Sequence, residues 1–414
     1  MEGCTRLVDV HPSIGVLKNL KLLNLRDCKS LRSLPTKIGM ESLETLILSG
    51  CSNLIRFSEI DGKMEHLKTL DLSGCYKIKH LPVSLQQVEF LEGLDLSETS
   101  ITEPPSFIFH LKNIKILSFS GRKGPSNKSR PNLPSLFKVI QGRMNPMARM
   151  LPLLSGLSSL RMLNLRDCNL CEGDIPRDIS GLSCLMNLDL SGNNSISIPA
   201  SLTRLSKLWF LDLSNCNMCT LGEADIHRLS SLSYLYLGGN NFITIPLALT
   251  QLCSLKLLGL SNCIELKFLP DLLTSIADVR IDGCASLEVV ASPSKVCNLV
   301  DEASVKAINC FKLAENIHAL TLLKKHLKNG LANKKVTLQL RYPFRKIVNG
   351  LELLLAALLS IMMLQGMMRI SVVVHLSIAE ILNKPAVMDL FFEVEIVDRL
   401  MGAAGWWVKD LTSP

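Results

Sequence analysis

The chain has 414 residues, 47% of them apolar and 20% charged, which is too apolar for a disordered polypeptide and enough for two or three ordinary domains. Aromatics are only 5%, so leucine and isoleucine must fill the core. The net charge of +8 is mild and concentrated: residues 121–150 hold seven Lys or Arg, four Pro, one Phe and no acid. A nucleic-acid surface would interleave aromatics with its cations, so this stretch reads as a solvated basic loop and no nucleic-acid partner is expected.

The N-terminus, MEGCTRLVDV, has neither a basic n-region nor an apolar h-region and is not a signal peptide, so the fourteen cysteines are expected to stay reduced. From Leu17 the chain reads LKNLKLLNLRDC, or LxxLxxLxLxxC, ending at Cys28. The frame returns with endings at Cys51, Cys75, Thr99, Arg122, Cys168, Asn193, Cys216, Asn240, Cys263 and Cys284. Apart from one double step of 46, the steps run from 21 to 25 residues, the period of a leucine-rich repeat. Cys4 lies 24 residues before Cys28, in phase, so Glu2-Gly3-Cys4 reads as the tail of a repeat whose strand would lie upstream.

Alternation such as Leu70-Asp71-Leu72 is a period-two strand with leucines inward. An amphipathic helix is the rival reading. It fails on Pro35, Pro82, Pro176, Pro199, Pro246 and Pro270, which recur six to eight residues after the rung position and which no helix interior tolerates. One repeat cannot bury its own leucines, but stacked repeats share a core. The expected fold is therefore an α/β leucine-rich-repeat solenoid, a horseshoe with a concave parallel β-sheet, ending in a short C-terminal helical segment and an unmatched tail. At the end of each strand, Asn can bond buried backbone groups, and Cys is a small substitute.

The repeats cover 1–121, the first incomplete, and resume over 157–290. Between them, 122–156 is a basic Pro-rich island. A closing helical segment is expected over 291–330, with the helix at Asp301–Lys328, and 331–414 is an unassigned tail. Within that tail Leu353–Met368, part of the apolar run 353–368, is sixteen residues without a charge. As a helix it would measure about 24 Å against a hydrocarbon core of about 30 Å, so a packed helix or a non-native tail is favoured over a membrane span.

The phrases LNLRDCKSLRSLP, LILSGCSNL, LDLSGCYKIKHLP, LNLRDCNLCEGDIP and INCFKLAEN resemble the repeat region of plant TIR-type nucleotide-binding disease-resistance proteins, over residues 1–328. The resemblance implies a cytoplasmic or nuclear, non-enzymatic recognition module. It would bind a pathogen effector or a guarded host protein and contribute to autoinhibition against the nucleotide-binding domain of a parent receptor. The sequence departs from that family in having no GxxxxGK[ST] phosphate loop and no PGSEIPEWF-like motif, so NAD cleavage and nucleotide switching are not expected of these residues.

No cofactor or metal is expected. The pairs Cys168/Cys171 and Cys216/Cys219 have zinc-like spacing, but they lie two repeats apart, about 10 Å, too far for one tetrahedral ion with Zn–S bonds near 2.3 Å. Cys310 could be a nucleophile of a ubiquitin-ligase-like enzyme, or a buried thiol in the closing helix. The candidate partner-binding residues are the outward positions of the concave strands: Thr69, Asp71, Asp95, Asn187, Asp189, Phe210, Asp212, Tyr234 and Tyr236. Exposed aromatics beside carboxylates have the composition of a binding hot spot. Two other readings stay open. One is a truncated, non-functional receptor fragment. The other is an extracellular membrane-anchored receptor, for which Asn127-Lys128-Ser129 and Asn193-Asn194-Ser195 would be glycosylation sequons.

Overall fold

The computed structural model describes residues 1–121 and 146–290, apart from 63, 102–104, 195, 197, 199, 222–225, 246–248, 250 and 271–275; beyond 290 it describes four strands, Cys310 and Lys312. Pro199, Pro246, Asn127 and the run 353–367 lie outside the described residues. The chain divides into two compact units, Met1–Leu266 and Lys267–Pro414.

The first unit is a parallel β-solenoid of ten turns. Its strands are β1 (Leu22–Asn24), β2 (Thr45–Ile47), β3 (Thr69–Asp71), β4 (Gly93–Asp95), β5 (Ile116–Ser118), β6 (Met162–Asn164), β7 (Asn187–Asp189), β8 (Phe210–Asp212), β9 (Tyr234–Tyr236) and β10 (Leu257–Gly259). Each pairs in parallel with its sequence neighbour. The middle residue of every strand is a leucine pointing inward, from Leu23 at 5% exposure to Leu211 and Leu235 at 0%. Removing a leucine side chain from water is worth about 1.5–3 kcal/mol, and the column repeats that gain at each turn.

The return segments are short. Val83–Gln87 and Ser106–His110 are 3-10 turns entered from Pro82 and Pro105, whose fixed φ sets the chain up for the turn. The residue before each rung is left-handed: Asp27, Glu98, Asp167, Asn215 and Asn262 have φ of 55–63°, and glycine takes the same place at Gly50, Gly74, Gly121, Gly192 and Gly239. There the strand turns inward.

The rung follows. Asn240 Nδ2 donates to the carbonyls of Leu213 (2.9 Å) and Leu237 (2.7 Å), while its Oδ1 accepts the N–H groups of Cys216 and Met218, both at 3.0 Å. Asn193 Nδ2 likewise donates to Leu165 (3.0 Å) and Leu190 (2.6 Å). Cysteine supplies one such bond: Cys51 Sγ to Leu25 O at 3.1 Å, Cys75 to Leu48 at 3.2 Å, Cys216 to Leu190 at 3.2 Å. The expected role of this column as a binder of buried backbone is what these geometries describe.

The double step of 46 is spanned by one direct strand pairing. β5 pairs directly with β6, Leu117 opposite Leu163. Part of the island is ordered against the core: Pro146–Leu154 is an α-helix (α1) that buries Ala148, Met150, Leu151 and Leu154. Residues 122–145 lie outside the described residues.

The second unit corrects the sequence reading twice. Its sheet runs β11 (Asp278–Arg280), β12 (Glu302–Ile308), β13 (Lys335–Pro343), β15 (Met388–Asp398), β14 (Met368–Ile378). β12 occupies ground expected as closing helix. Ala303, Val305 and Ala307 alternate with Glu302, Ser304 and Lys306, and the segment pairs in parallel with β11. Nor does the ladder stop at Cys284. Cys310 is the next rung, its thiol donating to Ile281 O at 2.9 Å as Cys216 does to Leu190. In the tail, β13–β15 and β15–β14 are antiparallel, with Leu338 opposite Val394 and Val394 opposite Val372.

Candidate functional site

In each turn of the first unit two strand residues face away from the leucine core. Register joins them into two columns. One runs Thr69, Gly93, Ile116, Met162, Asn187, Phe210, Tyr234. The other runs Asp71, Asp95, Ser118, Asn164, Asp189, Asp212, Tyr236 across the same strands. All nine residues expected from the sequence therefore share one sheet face: Thr69, Asp71 and Asp95 on β3–β4, the rest on β7–β9. The two groups are separated by β5 and β6.

The carboxylates already have work. Asp71, Asp95, Asp189 and Asp212 each accept the backbone N–H two residues on, from Ser73, Ser97, Ser191 and Ser214, at 2.8–2.9 Å. Asn24 and Asn164 make the same bond to the N–H of Arg26 and Arg166, at 3.0 Å. The residue type therefore serves the turn that ends the strand. Burial pushes the Asp95 and Asp212 carboxyls above their usual range, against the opposing pull of the Ser97 and Ser214 bonds. Asp71 is opposite Asp95 and Asp189 opposite Asp212, but each carboxylate is held by its own turn.

The aromatics are free to act outward. Trp209 meets Tyr234 edge-to-face at 5.2 Å, and Phe210 meets Tyr236 at 5.5 Å with rings tilted by 45°. Trp209, one residue before β8, is 38% exposed and belongs to the patch although the strand pattern does not mark it. Ile116, Met162 and Met186, exposed at 46%, 39% and 38%, extend the apolar surface across β5–β7. Their position just before or at the start of each strand is the signal that could have found them. Tyr236 lies over Gly259: a Cβ there would meet Tyr236 Cδ1 at 2.8 Å. We expect Gly259→Ala to displace the Tyr236 ring while changing stability by only about 1 kcal/mol, the scale of local overpacking. A crystal structure of the variant with Tyr236 unmoved would refute this.

Beside the starts of β1–β2 and β4–β5, oppositely charged side chains pair across neighbouring turns. Lys21 reaches Glu44 at 3.6 Å and Lys115 reaches Glu92 at 2.8 Å. The hydrogen bond from Lys115 holds Glu92 below the usual carboxylate range, with Lys68 and Arg161 adding to it.

The cysteines serve the core. Burial pushes the Cys51 and Cys216 thiols up to about 11 and the Cys310 thiol up to about 12. A nucleophile needs its thiolate, so Cys310 is set against that role. In the CxxC pairs, Cys168 and Cys216 are buried and bonded to the carbonyls of Phe119 (3.3 Å) and Leu190 (3.2 Å). Among the described residues no three His, Cys, Asp or Glu are grouped to hold a metal. Asn193, the first residue of one sequon, is 1% exposed and bonded throughout, so the folded repeat does not offer it for glycosylation. No helix among the described residues is long and apolar enough to cross a membrane.

Residues 159–182 match the family model for the leucine-rich repeat. The chain is 31% identical to TMV resistance protein N of Nicotiana glutinosa over 265 residues, 52% of this chain and 21% of that protein. It is 33% identical to disease resistance-like protein DSC1 of Arabidopsis thaliana over 215 residues, 52% of this chain and 14% of that one. This is a leucine-rich-repeat domain homologous, over about half the chain, to plant disease-resistance proteins. The match spans about a fifth or less of those relatives' own length. Among solved structures, a leucine-rich-repeat protein of Leptospira interrogans aligns at TM-score 0.39 and 19% identity, over 78% of this chain and 92% of that one. In the repeat domain the middle leucine of each strand faces the core, and the residues on either side of it line the opposite face of the sheet.

Proposed function

We propose that this repeat domain is the protein-recognition module of a plant immune receptor. It binds a pathogen effector or a guarded host protein in the cytoplasm or nucleus and performs no bond chemistry. The carrying observation is the aromatic cluster of Trp209, Phe210, Tyr234 and Tyr236 on an open sheet face whose acids are spoken for by their own turns. Aromatics with two side-chain torsions offer large contact area at low entropic cost, and interfaces are enriched in them. Homology to disease-resistance proteins supplies the setting. Autoinhibition through a nucleotide-binding domain of a parent receptor is the accompanying role. Strands β1–β4, outside the aromatic cluster, are the part of the face left over for it.

The test is binding of the chain to a panel of effectors and host targets by biolayer interferometry. Trp209→Ala and Tyr236→Ala should each weaken the bound partner by about 2 kcal/mol, roughly thirtyfold, as hot-spot truncations do. A partner held with undiminished affinity by both variants, with fold intact by circular dichroism, would sink the assignment of the site.

A further inference from the structure

The apolar surface has a shape that selects among protein partners. It is one stripe running across the strands, from Ile116 on β5 through Met162 on β6 and the Met186–Asn187 step to Phe210 and Tyr234 on β8 and β9. Four strand gaps of 4.7–4.9 Å make it about 19 Å long. Asp189 and Asp212 stand side by side along one flank of its centre. Arg161 lies on the other flank, exposed, beside Met162.

We propose that the occupant is an amphipathic α-helix of about thirteen residues laid across β5–β9, with its apolar ridge on the stripe and basic side chains over Asp189 and Asp212. The inference rests on the reading above that this face binds protein. A partner strand is disfavoured on two counts. The backbones of β5–β9 are already bonded on both sides by neighbours, so no edge is free for strand addition. A strand laid across the face would also bring its same-side residues about 6.7 Å apart, out of step with strands 4.8 Å apart. A helix repeats its ridge every 5.4 Å or so, close enough to seat one side chain per strand over four gaps. Asp189 and Asp212 lie opposite one another in register and bond their turns through Oδ1, so that flank presents acidic side chains, not basic ones, to the helix.

The experiment measures fluorescence anisotropy of labelled fourteen-residue peptides with the full chain. One peptide carries a leucine ridge at helical spacing and lysines on one flank. A second replaces those lysines by glutamate, and a third permutes the first peptide's sequence so that the ridge is lost. The lysine-flanked helix should bind at least about tenfold more tightly than either twin. Trp209→Ala with Tyr234→Ala should weaken it by about tenfold or more. Asp189→Asn with Asp212→Asn should erase the preference for lysine over glutamate; the fold tolerates the change, because Asn24 and Asn164 make the same turn bond. Equal binding of the permuted peptide, or no binding by any of them, overturns the helix. Preference for the glutamate twin overturns the charge assignment. Binding of the ridge peptide that ignores the Trp209/Tyr234 substitutions places it elsewhere, and then the reading of the face itself fails.

Discussion

Raising the pH from 7 to 10 should unfold this repeat domain far more readily than its exposed charges would suggest. The rung thiols are donors, so they must hold their protons: Cys51 to Leu25, Cys216 to Leu190, Cys310 to Ile281. Their folded values, about 11, 11 and 12, stand above the ordinary value of 9.0. A raised folded value means stability that is fully present below the unfolded value and lost as pH rises towards the folded one. The window is therefore about pH 9 to 12. Each thiol forfeits about 1.4 kcal/mol by pH 10, so Cys51 and Cys216 together remove about 3 kcal/mol from the first unit, whose total stability is on the order of 5–15 kcal/mol, and Cys310 removes its share from the second. Urea titrations at pH 7, 8.5 and 10 check the fall. Cys216→Asn isolates it, since Asn193 and Asn240 already serve as rungs on either side. That variant should lose about 1.4 kcal/mol less than the parent by pH 10. Parallel losses in the two proteins would show that the rung thiols are not responsible.

Asn240→Ala is expected to cost about 4 kcal/mol, because it strands the Leu213 carbonyl and the Cys216 and Met218 N–H groups in the core, each worth about 1–3 kcal/mol. Leu237 O is less exposed to the loss, since the Cys263 thiol also reaches it, at 3.4 Å. Asn240→Cys restores a single donor and should recover about half of the deficit, as one hydrogen bond among several. Guanidinium denaturation of the three proteins orders them Asn, Cys, Ala from most to least stable. An alanine variant as stable as the parent would show that water enters and serves those groups.

The solenoid was legible because its signal is redundant. Ten turns repeat the inward leucines, and the prolines that recur six to eight residues after the rung eliminate the helix that the same leucines would permit. The sheet-face residues were legible by the same alternation. What stayed hidden had only one copy or two explanations. The aspartates Asp71, Asp95, Asp189 and Asp212 look like a binding row in sequence, and only the bond to the serine two residues on reveals their turn duty. Trp209 precedes its strand and so fell outside the alternating pattern. The rung at Cys310 follows Val305 and Ala307, too small a pair to announce a repeat. The strands Lys335–Pro343, Met368–Ile378 and Met388–Asp398 do alternate, but the charge-free run 353–368 between them drew the reading towards helix.

The direct pairing of β5 with β6 has a wider consequence. Phe119 N–H bonds Asn164 O and Gly121 N–H bonds Arg166 O, both at 2.9 Å, as though the chain between them did not exist. The hydrogen bonds that set β5 against β6 are therefore made by residues on either side of this segment. A lineage could lengthen, shorten or rewrite that segment without re-registering a single strand. An insertion at this junction would keep the register of β5 on β6, whereas one inside a turn that joins two paired strands would have to be absorbed by a single repeat.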